Sequence, residues 1–307
     1  MIATTEYELL RSDAGLLDRP GWAVLELEGG EAAEFLQGQV TNDVEALEPG
    51  EGCYAALLDH KGKLRTDMRV LRLAADRLLV DAEPVARAVL AHNFETYSLG
   101  RDLRSKDLTE ERRVLSLIGP AARERLDAEP PQRENSFVEG ERGLYVATHF
   151  GVDLIVADGG GADGAPPDDL APAVSEEVAE CVRVEAGRPR LGHDMDATTI
   201  PQEAGLNERA VSFSKGCYVG QETVARLHYR GKPNRHLRGL RLSEPAAHGD
   251  SITLGEKQIG TVGSACVSPT LGPIALALVR REAAPGDDVM VGGQTATVVD
   301  LPFAKTE

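Results

Sequence analysis

The octapeptide KGCYVGQE, from Lys215 to Glu222, is the most distinctive stretch of this chain and the one from which we infer its fold. Packing alone does not require a cysteine between a glycine and a tyrosine, two residues after a lysine. Gly216 and Gly220 stand four residues apart, and glycines allow positive φ angles or a close approach of the backbone to a ligand. The stretch therefore predicts a tight turn, and the residues GQETVARL predict the start of a helix.

Cys217 has three interpretations on the residues alone. Free cysteines are commonly buried as small hydrophobic residues. Alternatively, Lys215 and the start of the following helix favour a reactive thiolate. The third interpretation is a metal or cluster ligand, but the other three cysteines lie far from it, at positions 53, 181 and 266. None of these spacings is typical of a metal site or a disulfide framework, so we predict no metal and a reducing, cytoplasmic compartment.

Composition limits the classes of function. The 307 residues are 42% hydrophobic and 27% charged, which is typical of an ordinary globular chain of two or three domains. A formal net charge of -17 repels phosphate backbones and argues against bulk nucleic-acid binding. No apolar run approaches the roughly 18 residues of a membrane span, and the N-terminal residues do not resemble a signal peptide.

The first two thirds of the chain show an α+β pattern. Residues 22–28 alternate as in a strand, and helical spacing of apolar residues follows up to Val40. Three more elements complete this first set of strands and helices. They are a hairpin around the turn Asp59–Gly62, a further strand and a helix that begins at Pro84. The order of strands and helices is that of an α+β protein and not of a doubly wound one.

A second set begins at residue 112. It starts with the strand RRVLSLIG and a short helix in PAARERLDA, and residues 129–140 have a loop composition. A hairpin that turns near Phe150-Gly151 comes next, and then a helix with Ser175 as its N-cap.

Short strands with glycine turns follow Pro233 and predict a small β-barrel. We therefore predict an α+β body of two interleaved modules over residues 1–232 and a C-terminal β-barrel over 233–307. The stretch rich in Gly, Asp and Pro at about 158–173 is predicted to be a mobile loop.

Two acidic residues are candidates for a site. Asp67 lies inside a predicted strand, where an acid is usually on a solvated face. Glu185 lies near the end of a predicted helix beside the inward positions Val182 and Ala186, and a partly buried carboxylate needs a donor. That donor is either a neighbouring arginine or a ligand.

The segment from Lys215 to Arg241 is strongly basic for so acidic a chain. It holds seven lysines and arginines, Arg226 among them, against the single acid Glu222. Such a segment is either a solvated surface or an anion site suited to carboxylates or phosphates.

At these residues the chain resembles the YgfZ family of folate-binding proteins, which is related to the aminomethyltransferase (T-protein) of the glycine cleavage system. KGCYVGQE is similar to the family signature K-G-C-Y-x-G-Q-E. The segments FLQGQVTNDV, HKGKLRTDMRV, RVEAGRPRLG and IPQEAGL are similar to further family landmarks, in the same order. The resemblance extends from about Trp22 to the end of the chain, and it implies a ring of three modules around a folate cavity, with a ferredoxin-like part and a C-terminal barrel.

The resemblance also implies roles for individual residues. Glu185 in RVEAG matches the glutamate that holds the pterin ring of tetrahydrofolate, since a carboxylate can accept two N–H bonds from an amino-pyrimidinone edge. Asp67 matches the catalytic aspartate of the transferases, which acts on the folate nitrogen. Lys215 and Cys217 are implied as further reactive residues beside the cofactor. Further contacts to tetrahydrofolate or a folate derivative are implied for Gly216, Tyr218, Gly220, Gln221 and Arg226.

One position departs from the transferases, which carry an arginine where this chain has Gln221 after the last glycine of the motif. A neutral amide cannot form a charged clamp. This difference argues against aminomethyl transfer, as does the pairing of Lys215 with Cys217, which the transferases lack.

Three hypotheses follow. The leading one is a cytoplasmic tetrahydrofolate-binding accessory protein that supports iron–sulfur cluster assembly or repair and the tRNA modification that depends on it. Its partners would be iron–sulfur enzymes or assembly proteins, because one cysteine cannot supply the roughly four ligands of a cluster. The alternative is a folate-dependent aminomethyltransferase or a related one-carbon transferase. Direct tRNA binding by the basic segment is the third, and the net charge disfavours it.

Overall fold

The structure is a computed structural model that describes residues 2–157 and 169–303. Within these residues the chain forms two five-stranded antiparallel sheets, a closed six-stranded barrel and six α-helices. The α+β body and the C-terminal barrel agree with the prediction from sequence. The mobile loop predicted at about 158–173 lies largely outside the described residues, which omit 158–168. Among the described helices, none is both long enough and apolar enough to cross a membrane.

The first sheet has the strand order β3-β4-β5-β2-β6. Its strands are β2 (Ala23–Glu28), β3 (Gly52–Leu58), β4 (Leu64–Ala74), β5 (Arg77–Ala82) and β6 (Arg104–Asp107). The turn between β3 and β4 forms as predicted, because the Asp59 carboxylate accepts the backbone N–H groups of Lys61 and Lys63. Gly62 takes a φ of 79° in this turn, a conformation that favours glycine.

The second sheet has the order β1-β7-β10-β9-β8. Its strands are β1 (Gly15–Asp18), β7 (Arg112–Ile118), β8 (Phe137–Gly140), β9 (Gly143–Ala147) and β10 (Gly151–Ala157). Strand β1 precedes the whole first sheet in the chain but pairs with β7, so that the two sheets interleave in sequence.

The two sheets pack against each other through one face of each. Val24 and Leu71 of the first sheet belong to the same buried cluster as Val114 and Ile155 of the second. An ion-pair network also crosses this interface. The buried Arg69 guanidinium of β4 donates to Asp81 at 2.8 and 3.0 Å and to Asp153 of β10 at 2.9 Å.

The helices cover the outer faces of the sheets. They are α1 (Thr4–Ser12), α2 (Ala32–Gln39), α3 (Arg87–Tyr97), α4 (Glu176–Glu185), α5 (Asn207–Ala210) and α6 (Gln221–Arg230). Phe35 of α2 and Phe94 of α3 meet edge to face, 6.2 Å between ring centroids, in the cluster that covers the first sheet. In α4, Val178, Cys181, Val182 and Glu185 are buried at i, i+3, i+4 and i+7, which is one face of a helix.

The barrel closes in the order β11-β14-β13-β12-β15-β16. Its strands are β11 (Arg235–Leu242), β12 (Ser251–Leu254), β13 (Lys257–Ser268), β14 (Gly272–Arg280), β15 (Asp288–Val291) and β16 (Gln294–Val299). Val184 of α4 packs in one cluster with Leu237, Ile274 and Phe303, so this helix contacts the barrel as well as the body. Because β11 begins at Arg235, we propose that the boundary between the body and the barrel lies near residue 232.

Two local predictions were wrong. PAARERLDA forms only a 3-10 turn at Arg123–Arg125, because so short a segment does not offset the cost of helix nucleation. The predicted loop at 129–140 ends in β8, which pairing with β9 stabilises. Ser175 is at the predicted N-cap position of α4, and its hydroxyl donates to Glu6 at 2.7 Å instead of making a capping bond.

Candidate functional site

Glu185 lies on the wall of a cleft of about 1110 Å³ between the body and the barrel. Helix α4 supplies Val182 and Glu185, the hairpin of the second sheet supplies Phe150, and the barrel supplies Thr270 and Leu271. The cleft therefore combines apolar walls with one buried carboxylate, which is typical of small-molecule sites.

The carboxylate of Glu185 accepts hydrogen bonds at both oxygens. Its Oε1 atom accepts from the Tyr7 hydroxyl at 2.9 Å and the Ser268 hydroxyl at 2.5 Å, and the Cys181 thiol lies at 3.7 Å. Its Oε2 atom pairs with the Arg11 guanidinium. The salt bridge to an arginine, one of the two kinds of donor expected from the sequence, thus forms in the fold.

Sequence reasoning missed the residues around Glu185. Tyr7 and Arg11 come from α1, 178 and 174 positions away, and Ser268 comes from the barrel. The spacing of Tyr7 and Arg11 at i and i+4 indicates that they share one helix face, but nothing local connects that face to α4.

Asp67 lies in a second, smaller cavity of about 220 Å³. It is buried on β4, and the Tyr54 hydroxyl from the neighbouring strand β3 donates to its carboxylate. The usual position of an acid on a solvated face is therefore excluded. Arg209 lies over the Tyr54 ring, 4.9 Å from the ring centroid, and closes one side of the cavity.

Burial raises the pKa of Asp67 to about 6, although the hydrogen bond from Tyr54 acts in the opposite direction. The Tyr54 pKa rises well above its ordinary value, first through burial and then through the nearby Asp67 charge. Tyr54 thus stays a neutral donor, while Asp67 can gain or lose a proton near neutral pH. Such a carboxyl group is suited to general acid–base chemistry.

The two cavities share a wall. Glu134, Thr148, His149 and Phe150 line both of them. Glu134 is held by Arg209 at 2.9 Å and Arg188 at 3.8 Å. The fold thus places Glu185 and Asp67, which the sequence singled out separately, in adjoining cavities.

The KGCYVGQE stretch lies elsewhere. The Lys215 ammonium is buried and donates to three backbone carbonyl groups, those of Gln37 at 2.5 Å, Val40 at 2.7 Å and Asn42 at 2.8 Å. Burial lowers the pKa of Lys215 to about 8, whereas the carbonyl groups favour its charged form. All three ammonium protons have acceptors, so this geometry differs from the prediction that Lys215 favours the Cys217 thiolate.

The fold itself requires a glycine at position 220. Its φ is 83°, and a Cβ atom there would lie 2.5 Å from the Asp59 carbonyl oxygen and 3.0 Å from Gly62 Cα. The predicted positive φ is thus present at Gly220, where two turns of the protein approach each other closely. Gly216 has open space around it.

The other residues of this stretch line neither of the two cavities. Tyr218 is buried among apolar side chains, and burial raises its pKa to about 12. Cys217 is an exposed free thiol, so its interpretation as a buried hydrophobic residue was wrong. Gln221 begins α6, and Arg226 is exposed on that helix. The cofactor contacts predicted for Gly216, Tyr218, Gly220, Gln221 and Arg226 stay predictions.

The basic segment is less cationic than its sequence indicates. Lys215 is buried, Arg235 pairs with Glu203 at 2.8 Å, and Arg238 pairs with Asp300 at 3.1 Å. Within the described residues there is also no group of three or more His, Cys, Asp or Glu side chains that could hold a metal ion.

Comparisons with known proteins agree with this architecture. The GCVT N-terminal domain matches residues 1–136, and the Glycine cleavage T-protein C-terminal barrel domain matches residues 235–305. The aminomethyltransferase of Rubrobacter xylanophilus is 31% identical over 97% of this chain and 85% of its own length. The tRNA-modifying protein YgfZ of Colwellia psychrerythraea is 30% identical over 80% of this chain and 76% of its own length.

The crystal structure of glycine cleavage system aminomethyltransferase T from Bartonella henselae superposes with a TM-score of 0.87. It covers 98% of this chain and 89% of that protein at 24% identity, which confirms the predicted aminomethyltransferase-like fold. An α+β body of two sheets joined to a six-stranded barrel defines this class of protein. The chain belongs to the glycine cleavage T-protein family.

Proposed function

We propose that this protein binds tetrahydrofolate in the cleft at Glu185 and acts as an accessory protein of the YgfZ type. In this role it supports the assembly or repair of iron–sulfur clusters and the tRNA modification that depends on them. The observation that carries the binding proposal is the buried Glu185 carboxylate on the wall of a large, partly apolar cleft. The YgfZ relative and the neutral Gln221 support the accessory role.

The donors around Glu185 determine how a pterin edge would bind. An ionised carboxylate offers about four lone-pair positions, and four donors already surround this one. An amino-pyrimidinone edge would therefore have to replace donors rather than add to them. Arg11 is the donor most able to leave, since 43% of its side chain is exposed, whereas Tyr7, Cys181 and Ser268 are buried.

A second donor also has another partner within reach. The Tyr7 hydroxyl lies 2.9 Å from the Thr270 hydroxyl oxygen and can turn its proton to it. Ser268 and Cys181 would then keep Glu185 in position. The guanidinium of Arg11 and the pterin edge present similar pairs of N–H groups, which makes Arg11 a competitor for the same carboxylate.

Calorimetric titration with tetrahydrofolate tests the binding site. We expect the wild type to bind and Glu185→Gln to bind at least about tenfold more weakly, because glutamine offers only one acceptor atom in place of two. Glu176→Gln is the matched control, since Glu176 lies at the exposed start of the same helix. Equal binding by wild type and Glu185→Gln would show that the pterin does not bind to this carboxylate.

Arg11→Ala tests the exchange of donors. We expect this variant to bind tetrahydrofolate more tightly but to melt at a lower temperature, because the buried carboxylate loses its charged partner until the ligand arrives. Arg123→Ala, at another arginine of the cleft, should leave the affinity unchanged. Weaker binding by Arg11→Ala would mean that Arg11 contacts the ligand instead of competing with it.

A folate-dependent aminomethyltransferase or related one-carbon transferase is the second candidate. The raised pKa of the buried Asp67 favours it, as do the aminomethyltransferases among the relatives. Tetrahydrofolate would supply the amine that accepts the one-carbon unit, and Asp67 would take up or hold a proton beside it. Turnover with an aminomethyl or formaldehyde donor that is lost in Asp67→Asn would establish this reaction.

Complementation separates the two candidates. We expect Cys217→Ala to fail to restore iron–sulfur enzyme activities in a deletion strain although it folds normally, because the exposed thiol is removed and little packing changes. Under the transferase alternative, Asp67→Asn fails and Cys217→Ala succeeds.

A further inference from the structure

Two cysteines that lie 85 positions apart in sequence come together in the fold. The Sγ atoms of Cys181 and Cys266 are 3.4 Å apart, and both cysteines are free thiols. Cys181 is on α4 of the body and Cys266 is on strand β13 of the barrel. We propose that Cys181 and Cys266 form a reversible disulfide with low-molecular-weight disulfides as oxidant, and that this bond tethers the barrel to the body beside Glu185.

The two thiols differ in access. Cys266 is partly exposed and lies on the wall of a cavity of about 370 Å³, which His193 and His248 also line. Cys181 is completely buried. The contact with the neighbouring Cys266 thiol and then burial raise the pKa of Cys181, so its thiolate is disfavoured. Cys266 is therefore the thiol that meets the oxidant first, and Cys181 is the resolving thiol.

The reaction balances as two thiol–disulfide exchanges. Cys266, after loss of its proton, attacks one sulfur of the oxidant RS–SR. This forms the mixed disulfide Cys266–S–SR and releases RS⁻, which takes up the proton as RSH. The Cys181 sulfur then attacks the Cys266 sulfur, the bond between the two cysteines forms, and the second RSH leaves with the Cys181 proton. The two cysteines are oxidised by two electrons in total, and RS–SR is reduced to two thiols.

The bond would join the two elements that build the Glu185 site. Cys181 precedes Glu185 by one helical turn, and Ser268, which donates to Glu185, follows Cys266 by two residues on the same strand. Oxidation removes the S–H group that Cys181 directs to Glu185 and fixes α4 to β13. This chemistry is independent of folate binding.

Peptide mapping of the full chain tests the proposal. The protein is incubated with glutathione disulfide, its remaining thiols are blocked, and it is digested without reduction. We expect the peptides of Cys181 and Cys266 to appear joined, with two hydrogens fewer than their sum, and to separate again with dithiothreitol. We also expect the thermal midpoint of the oxidised protein to exceed that of the reduced protein by about 5 °C or more, since the bond closes a long loop.

Single variants assign the two roles. In Cys181→Ser, Cys266 should accumulate as a mixed disulfide with glutathione, and in Cys266→Ser, Cys181 should stay a free thiol. Cys53→Ser is the control and should leave the joined peptides unchanged, because Cys53 is buried and burial raises its pKa to about 12. A wild type in which Cys266 carries glutathione while Cys181 stays free would overturn the proposal, as would a pair that stays reduced throughout.

Discussion

Replacement of Lys215 by methionine tests whether the lysine of KGCYVGQE acts on structure or on the neighbouring thiol. Its ammonium donates to the carbonyl groups of Gln37, Val40 and Asn42 at 2.5–2.8 Å. Hydrogen bonds from a charged donor contribute about 1.5–3 kcal/mol each, but they do not add fully, and burial of the ammonium offsets part of them. We expect the free energy of unfolding to fall by about 3–5 kcal/mol.

Differential scanning calorimetry measures this loss. In a body of more than 200 residues, each kcal/mol lost from the free energy of unfolding lowers the melting temperature by roughly 2–4 °C. The melting temperature of Lys215→Met should therefore be about 6–20 °C below that of the wild type. Lys232→Met replaces an exposed lysine and should change stability by less than about 0.5 kcal/mol. A melting temperature of Lys215→Met equal to that of the wild type would refute the structural role of Lys215. Slower alkylation of Cys217 in such a stable variant would show that Lys215 acts on the thiol instead.

Three further predictions concern Asp67, Arg69 and Gly220. The folded pKa of Asp67 is about 6 against about 3.9 unfolded, so the folded state retains a proton that the unfolded state has lost. In urea unfolding, the stability of the wild type should fall by about 2–3 kcal/mol between pH 4 and pH 7, and Asp67→Asn should lack this fall. Parallel profiles of stability against pH for the two proteins would contradict this prediction. Arg69→Met leaves the buried Asp81 and the partly exposed Asp153 without a charged partner and should cost about 3–5 kcal/mol in denaturant titrations, so a loss below about 1 kcal/mol would refute this role. Gly220→Ala should lower stability by about 1–3 kcal/mol, because of its positive φ and the nearby Asp59 carbonyl. Gly216→Ala, with open space around it, should leave melting unchanged, and equal melting curves for the two variants would count against this account.

Elements with a strong local signal were predictable from the sequence. Alternation of apolar residues identified β2, and turn chemistry at Asp59 located the hairpin of β3 and β4. Strands β1 and β6 were missed because each has four residues, too few for a periodic pattern, and forms only by pairing with a distant strand. Tertiary pairing also overrode the loop composition before β8.

The candidate site divides in the same way. The place of Glu185 near a helix end and beside buried positions could be predicted from the helix pattern and the sequence motif there, and its contact with a pterin stays a prediction. Its partners Tyr7 and Ser268 could not, because no local rule relates residues that the chain brings together from the N-terminus and the barrel. The motif around Cys217 was recognised, but the three carbonyl groups that bind Lys215 are visible only in the fold.

The early position of β1 in the chain has a consequence for folding during synthesis. Strands β2 to β6 complete the first sheet once residue 107 has left the ribosome, whereas β1 has no partner until β7 follows. Helix α1 must wait longer still for α4, which is some 170 residues behind it. The segment that holds α1 and β1 is therefore made before the first sheet but is among the last parts of the body to dock. The surroundings of Glu185 are completed only when α1, α4 and strand β13 of the barrel are all present.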